Sequence, residues 1–313
     1  MSTALQKLKS NHSLYGVLCV LLATVGLSMK AIFIKLVYLA DPTIDAISVL
    51  TLRFVMALPF FMFFLAHSQH KNSSATFSMM SFRQIGVIFL LGSVGFYVSA
   101  ILDFSALVYI SAGLERLILF MYPTFVVLIS FIVRPKEISR ATILALIICY
   151  SGILLIFAEQ APTANPGIIH GALMVFGAAI IFAVYTIASV QQIHRHGSVK
   201  FTTYAMIAAT LATLVHAAMT HGMLIFAQSL HVYMLVLPMA IFSTVLPLLL
   251  MAEGIKSIGA SSSSIISTSG PVITISLAIV LLGETFSGVQ MIGSTMIMAG
   301  VFLVARYSQA QKS

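Results

Sequence analysis

Residues 103–123 read DFSALVYISAGLERLILFMYP, and this stretch decides how the rest of the chain is interpreted. It is apolar enough to lie in a bilayer, yet it contains Asp103, Glu115 and Arg116 and ends at Pro123. A charged side chain at the centre of a membrane helix costs roughly 2.5–3.5 kcal/mol on insertion scales, and less near an interface. We therefore expect these charges to line a polar cavity or to pair with other buried charges.

A second stretch repeats this outline without the charges. Residues 257–271 read SIGASSSSIISTSGP and also end at a proline, Pro271. Ala112 precedes Pro123 by eleven residues, and Ala260 precedes Pro271 by the same number. The two stretches therefore indicate related segments in the two halves of the chain.

Composition indicates a polytopic membrane protein. The 313 residues are 60% hydrophobic and 8% charged, with a mean hydropathy of +1.08. A soluble domain of this size cannot bury so much apolar surface, and the length leaves no room for a separate soluble enzymatic domain. We attribute the net charge of +8 to basic cytoplasmic loops rather than to nucleic-acid binding. Cys19 and Cys149 lie in apolar runs, which favours helix packing over a disulfide or a metal site.

Ten apolar runs are predicted to cross the membrane, since each is near the ~20 residues that a bilayer requires. Near 105–109 and 253–258 the link between two predicted spans almost vanishes. With the N-terminus in the cytoplasm, the loop lysines and arginines all fall on the cytoplasmic side, which predicts that both termini are cytoplasmic. The predicted spans are about 14–38, 46–66, 84–105, 109–133, 140–158, 167–190, 201–219, 232–252, 258–282 and 287–306.

An offset of 148 residues relates the two halves of the chain, residues 1–160 and 166–313. Each half would contain five helices, and because five is odd, the halves would run through the membrane in opposite directions. Inverted repeats of this kind are a transporter architecture, with the binding site near the middle of the membrane. The offset places Ala112 on Ala260, Pro123 on Pro271, Ala145 on Gly293 and Gly152 on Gly300.

Several motifs carry a resemblance to a known family. In the second half, AEGIKSIGA at 252–260 is followed by Gly270-Pro271 and by Leu-Gly-Glu at 282–284. In the first half, Leu-Arg-Phe occupies 52–54 and Tyr-Pro occupies 122–123. These motifs resemble the EamA family of the drug/metabolite transporter superfamily. The resemblance implies ten helices in two inverted repeats, a central cavity, and export or exchange of small metabolites, often amino acids. The chain departs from the family in lacking tryptophan and in reading RPKE at 134–137, so the substrate is not carried over.

Five charged residues inside the spans of the first half form a candidate cluster: Lys30, Arg53, Asp103, Glu115 and Arg116. We expect Lys30 or Arg116 to hold a substrate carboxylate, and Glu115 to hold an amine or carry a proton. Arg53 and Asp103 are interpreted as structural ion pairs, since Arg53 is close enough to a helix end to reach the interface. The alternative is that the whole cluster is an internal ion-pair network that only fixes helix packing.

Uncharged candidates for the cavity come from three other spans. Ser264 and Thr268 are four residues apart, on one helix face, and could line the cavity or simply allow close helix packing. Tyr97 and Tyr185 are candidate cavity aromatics, with packing as the alternative for each.

Pro123 and Pro271 each remove a helix hydrogen bond, which bends or locally opens a helix. Their symmetric positions predict a pair of hinges for alternating access. The alternative is a pair of static kinks that shape the packing.

Together these features predict an all-α polytopic protein that acts as a secondary transporter of small polar metabolites, with amino acids or related zwitterions as the leading class. A proton or a counter-substrate is the candidate coupling partner. Neither a cofactor, a metal nor nucleic acid is expected, and both a monomer and a homodimer remain open. The predicted location is the cell (inner or plasma) membrane. The alternatives are a flippase-like carrier of a lipid, a passive channel, and an intramembrane enzyme, for which the sequence offers no paired acids or histidine cluster.

Overall fold

The computed structural model of the chain describes residues 2–71, 81–133, 140–160, 166–267 and 269–310. Within these ranges every regular element is helical, which confirms the all-α prediction there. The helices are α1 (Ser2–Ala40), α2 (Ala46–Lys71), α3 (Phe82–Gly92), α4 (Ser99–Ala106), α5 (Ala112–Leu119), α6 (Tyr122–Val133), α7 (Arg140–Gln160), α8 (Pro166–His196), α9 (Ser198–Thr220), α10 (Leu230–Ala240), α11 (Leu246–Ser267), α12 (Gly270–Leu282) and α13 (Gly288–Ala310).

Two π-helical turns carry the chain from one helix into the next. Ser93–Val98 joins α3 to α4, and Ile241–Val245 joins α10 to α11. A π turn widens the helix by one residue and often marks a functional position. These turns let the chain cross as the longer helical units Phe82–Ala106 and Leu230–Ile255.

Membrane-spanning character is clear for most of the predicted segments. Of the described residues, seven helical segments are both long and apolar enough to span a bilayer. Three shorter apolar helices, Ile143–Glu159, Gly270–Leu282 and Gly288–Leu303, lie where three further spans are predicted. The chain is thus a polytopic membrane protein, and the total of ten crossings stays a prediction.

The link predicted near residues 253–258 falls in a stretch where the chain reverses direction. The backbone is helical from Leu246 to Ser267, yet Ser267 Oγ lies 3.9 Å from Met251 Sδ, whereas sixteen residues of straight helix would separate the two residues by about 24 Å. The segment contains no proline, and it packs closely on α1. A side chain at Gly254 would clash with Val20, and one at Gly16 would lie 2.6 Å from Ile258. Small residues therefore let the first part of α11 pack closely on α1. In the first half the chain does leave the helix after Ala106.

Both symmetric prolines lie in the first turn of a new helix. The chain leaves α5 at Leu119 and enters α6 at Tyr122, just before Pro123, and α12 begins at Gly270, just before Pro271. A proline in a first turn loses no internal hydrogen bond, because the N–H groups there have no partner within the helix. The local opening predicted at these prolines is thus a break between two helices rather than a bend within one helix.

Several element boundaries recur at a spacing of 148 residues. The N-cap serines Ser81 and Ser229 each accept a hydrogen bond from the backbone N–H three residues on. The two π turns begin at residues 93 and 241. Helices α6 and α12 begin at 122 and 270, and α7 and α13 begin at 140 and 288.

Helices α7 and α13 pack closely and run antiparallel. A Cβ at Gly152 would lie 2.6 Å from the carbonyl oxygen of Gly293, and one at Gly300 would lie 2.7 Å from that of Ala145. Later residues of α13 thus contact earlier residues of α7, so the two helices are antiparallel. Small residues allow backbones to approach this closely in lipid, where no hydrophobic effect drives helices together.

Two large groups of buried apolar side chains meet at the start of α5. Ala112 belongs to a group built mainly from α1, α2 and α10, and Leu114 belongs to a group built mainly from α5 to α8 and α13. Glu115 directly follows Leu114 in the chain, so it lies where the two apolar groups meet.

Candidate functional site

Three charged side chains from three helices meet in the interior: Lys30 of α1, Asp103 of α4 and Glu115 of α5. We call them the charge triad. The Lys30 ammonium donates a hydrogen bond to Asp103 Oδ2, and its Nζ lies 3.5 Å from Glu115 Oε1. The exposed fractions of the side chains are 13% for Lys30, 4% for Asp103 and 0% for Glu115. All three charges are therefore largely withdrawn from solvent.

The local structure of α5 holds Glu115 in place. Ser111 is the N-cap, with an extended backbone, and its hydroxyl accepts a hydrogen bond of 3.1 Å from Leu114 N–H. The Glu115 N–H donates to the Ser111 carbonyl at 3.0 Å. Glu115 thus lies in the first helical turn, where the helix dipole favours a negative charge.

The triad has one positive group for two acidic ones. Asp103 Oδ1 and Glu115 Oε2 are buried and have no hydrogen-bond partner among the described residues. With both acids ionised, the triad by itself would carry a net negative charge, which the guanidinium groups of Arg53 near Asp103 and of Arg116 near Glu115 offset in part. Burying a charge without full compensation is unfavourable. A proton or an added cation would balance it, so the arrangement is suited to taking up and releasing either one.

Arg53 lies beside the triad but binds elsewhere. It is buried, and its Nε donates a hydrogen bond of 2.8 Å to the hydroxyl of Thr244 in the second π turn. Its guanidinium also lies 5.4 Å from the ring centre of Phe104, within range of a cation–π interaction. The ion pair of Asp103 is made by Lys30, while Arg53 ties α2 to the second half of the chain.

Arg116 follows Glu115 directly but points to a different neighbour. Its Nη2 lies 3.0 Å from the position a Cβ would take at Gly270, so glycine leaves room for the guanidinium at the start of α12. Its Nε is buried without a hydrogen-bond partner among the described residues. The Ser28 hydroxyl donates to the Gly270 carbonyl at 3.0 Å, which brings α1 to the same place. Arg116 directly follows Glu115, and its Nε–H is thus a hydrogen-bond donor without a partner among the described residues.

The two tyrosines predicted for the cavity have packing and pairing contacts. The Tyr97 hydroxyl lies 2.7 Å from His216 Nδ1, linking the first π turn to α9. Tyr185 is buried, with ring centres 5.0 Å from Phe96 and 6.2 Å from Phe201. These contacts tie the tyrosines to neighbouring helices, and a substrate-binding role for them stays a prediction.

The remaining predicted residues are located only by their positions along the helices. Ser264 lies in α11, and Thr268 lies outside the described residues. Pro123 and Pro271 flank the breaks described above, and a hinge at either of them stays a prediction.

Glu284 is a site residue that sequence reasoning missed. Its Oε1 accepts a hydrogen bond of 2.8 Å from Ala112 N–H, and its Oε2 accepts one of 3.3 Å from Gly113 N–H. Its position in the Leu-Gly-Glu motif was a family signal, but its partners are 171 and 172 residues away in the chain. Neither spacing nor periodicity could have pointed to them.

Comparison with known proteins gives a consistent match along the chain. A sequence profile described as the EamA-like transporter family matches residues 14–158 and again residues 169–306. A Bacillus subtilis protein named uncharacterized transporter YcbK is 30% identical over 306 residues, covering 95% of this chain and 93% of that protein. An uncharacterized transporter of Archaeoglobus fulgidus is 22% identical over 227 residues, covering 72% and 80%.

A solved crystal structure, described only as that of a protein, shares the fold. It superposes with a TM-score of 0.63 and covers 96% of this chain and 99% of its own. The sequence identity is 16%, so this likeness speaks for the fold alone.

Proposed function

Because the chain belongs to the EamA-like transporter family, we propose that it is a secondary transporter of small polar metabolites, with amino acids and related zwitterions as its substrates. The observation that carries the proposal is the buried charge triad with its unbalanced carboxyl group. Family membership makes a membrane transporter the general expectation, and the relatives that match are named transporters, which fits a role other than enzymatic catalysis.

The mechanism we propose is alternating access by two inverted repeats, residues 1–160 and 166–313. Three observations support it. The family profile matches twice along the chain, element boundaries recur at a spacing of 148 residues, and the equivalent helices α7 and α13 run antiparallel. Equivalent helices that run in opposite directions are what an inverted repeat requires.

The triad and Arg116 together match the two ends of a zwitterion. A substrate ammonium would compete with Lys30 for the carboxyl groups of Asp103 and Glu115 and would supply the missing positive charge. A substrate carboxylate would be drawn to the Arg116 guanidinium, where Nε still lacks a partner. In the absence of substrate a proton would balance the triad, so uptake of a cationic group would release a proton. That exchange is the proposed coupling.

The proposed topology places both termini in the cytoplasm and the protein in the cell membrane. In this orientation the loop lysines and arginines face the cytoplasm, as the positive-inside rule expects. The triad would then lie in the outer half of the membrane, near the end of α4 and the start of α5.

The experiment is amino-acid counterflow into proteoliposomes, at symmetric pH and with the interior acidified. Wild type is compared with Glu115→Gln and Lys30→Ala. Asp41→Asn is the matched control, because this carboxylate lies in the loop after α1, away from the triad. It accepts local hydrogen bonds from the hydroxyl and the N–H of Thr43, which hold the pKa of Asp41 below its usual range. We expect saturable exchange in wild type and in the control and its loss in both triad variants. If wild type exchanges no amino acid, the substrate class is wrong. Undiminished exchange in both triad variants would show that the charges are structural.

A further inference from the structure

The loop between α12 and α13 holds the start of α5 from across the molecule. Gly283 ends α12 with a left-handed backbone (φ 67°), a conformation that favours glycine. The next residue, Glu284, directs its carboxylate onto the N–H groups of Ala112 and Gly113. Together with the Ser111 cap, this satisfies three successive N–H groups of the first turn of α5.

A second contact from the same loop reinforces this hold. The Phe286 ring points end-on at Gly113: its Cζ is the atom nearest to the position a Cβ would take there, and Cε1 and Cε2 lie 3.0 Å and 3.1 Å from that position. Any side chain at residue 113 would therefore push the ring away. A cavity of about 240 Å³ adjoins the contact and is lined in part by Phe286, Leu114 and Tyr109, so the ring has space to move into.

These contacts extend to the charge triad through α5 itself. Helix α5 lies antiparallel to α12, with its start against Glu284 and with Arg116 against Gly270 at the other end of α12. Glu115 lies only two residues beyond Gly113, in the turn that Glu284 caps. A shift or fraying of that turn would move Glu115 relative to Lys30.

We propose that Glu284 is a positioning residue for transport: it clamps the first turn of α5 so that Glu115 stays at Lys30. When the clamp is released, α5 moves and the triad can exchange its bound cation or proton. Hydrogen bonds from backbone N–H groups to a carboxylate are stronger than hydrogen bonds between two neutral groups. When they break, no positively charged side chain is left buried without its partner, so the clamp can open and close again. This inference rests on the proposed function, because it assigns a role within the same transport cycle.

The first test does not depend on transport. Hydrogen–deuterium exchange of the purified protein in lipid nanodiscs is followed by mass spectrometry for wild type, Glu284→Ala, Glu284→Gln and Gly113→Ala. We expect amide exchange at residues 112–118 to rise at least tenfold in Glu284→Ala and less in Glu284→Gln, which keeps one acceptor. Gly113→Ala should raise it as well, through Phe286, while leaving the carboxylate in place. Residues 143–156 of α7 are the internal control, and unchanged exchange at 112–118 in Glu284→Ala would overturn the clamp.

The second test connects the clamp to Glu115. In counterflow, Glu284→Ala should raise KM at least tenfold and move the pH midpoint of exchange, and Glu284→Gln should restore most of both. Because Glu115→Gln is expected to lose exchange, that background is studied by unfolding in a mild detergent: Glu284→Ala should shift the pH dependence of the unfolding midpoint in wild type and leave it unchanged in Glu115→Gln. A shift of equal size in both backgrounds would refute the idea that Glu284 acts through Glu115. A wild type that transports no amino acid would refute the proposed function, while the deuterium-exchange result would still decide the clamp.

Discussion

Replacing Lys30 with methionine should destabilise the protein more than most single substitutions. Lys30 contacts both buried acids of the triad, and the second oxygen of each acid already lacks a partner among the described residues. Methionine retains much of the length and apolar volume of the lysine stem, so the change removes the charge with little loss of packing. Removing one partner of a buried ion pair typically costs about 3–5 kcal/mol, because an uncompensated charge stays behind.

The structure also predicts how to recover the loss. Adding Asp103→Asn and Glu115→Gln to Lys30→Met removes all three charges, and removing a whole buried ionic set costs less than leaving one charge without its partner. We expect the triple variant to lie within about 1 kcal/mol of wild type, in contrast to the single variant. The destabilisation of the single variant should shrink as the pH is lowered, because protonation neutralises the acids that lost their partner.

The assay is equilibrium unfolding in a mild detergent, as a thermodynamic cycle of the single, double and triple variants. Size-exclusion profiles confirm that each variant is folded at the start. If Lys30→Met is within about 0.5 kcal/mol of wild type, or if the triple variant is no better than the single one, the triad is not a buried, energetically coupled unit.

Two further predictions concern packing and topology. Gly152→Leu should destabilise by about 1–3 kcal/mol through overpacking, since its Cβ alone would lie 2.6 Å from the Gly293 carbonyl oxygen, and a reduced unfolding temperature with retained secondary structure would show this. In cells, a membrane-impermeant maleimide should label Thr43→Cys from outside and Arg195→Cys only after permeabilisation, with little background because both native cysteines are buried; the reverse pattern would contradict cytoplasmic termini.

Composition and periodicity were enough for the class of protein and for the location of most helices. The apolar runs are long, and a bilayer tolerates few alternatives to a helix, because each backbone polar group must be satisfied within the segment. Asp103, Glu115 and Lys30 could be identified as one cluster for the same reason: a charge retained in such a run needs a partner. We grouped these three residues because charged side chains are costly in a lipid bilayer, and not because of their spacing in the sequence.

The remaining features depend on contacts between distant parts of the chain. Gly254 packs against Val20 of α1, a contact that no property of the segment itself reveals. Arg53 looked like a partner for Asp103, but the hydroxyl of Thr244 and the ring of Phe104 bind it instead. Glu284 was noted in the sequence as part of a family motif. Its two partners, the N–H groups of Ala112 and Gly113, become apparent only in the fold, which brings α5 beside α12.

The distribution of charge between the halves bears on how the proposed cycle would work. Lys30, Asp103 and Glu115 all belong to the first half, and at the 148-residue offset the two acids correspond to Met251 and Ser263, which are uncharged. If the halves move as units, their relative motion does not by itself separate these ion pairs.

The described contacts that the second half makes with this region are of a different kind. They join a hydroxyl to Arg53, a glycine backbone to Arg116, and the Glu284 carboxylate to two backbone N–H groups. None of these separates a buried pair of opposite charges when it breaks. The relative motion of the halves would therefore avoid the large penalty of opening a buried ion pair, and the triad would respond to protons, to substrate and to release of the Glu284 clamp.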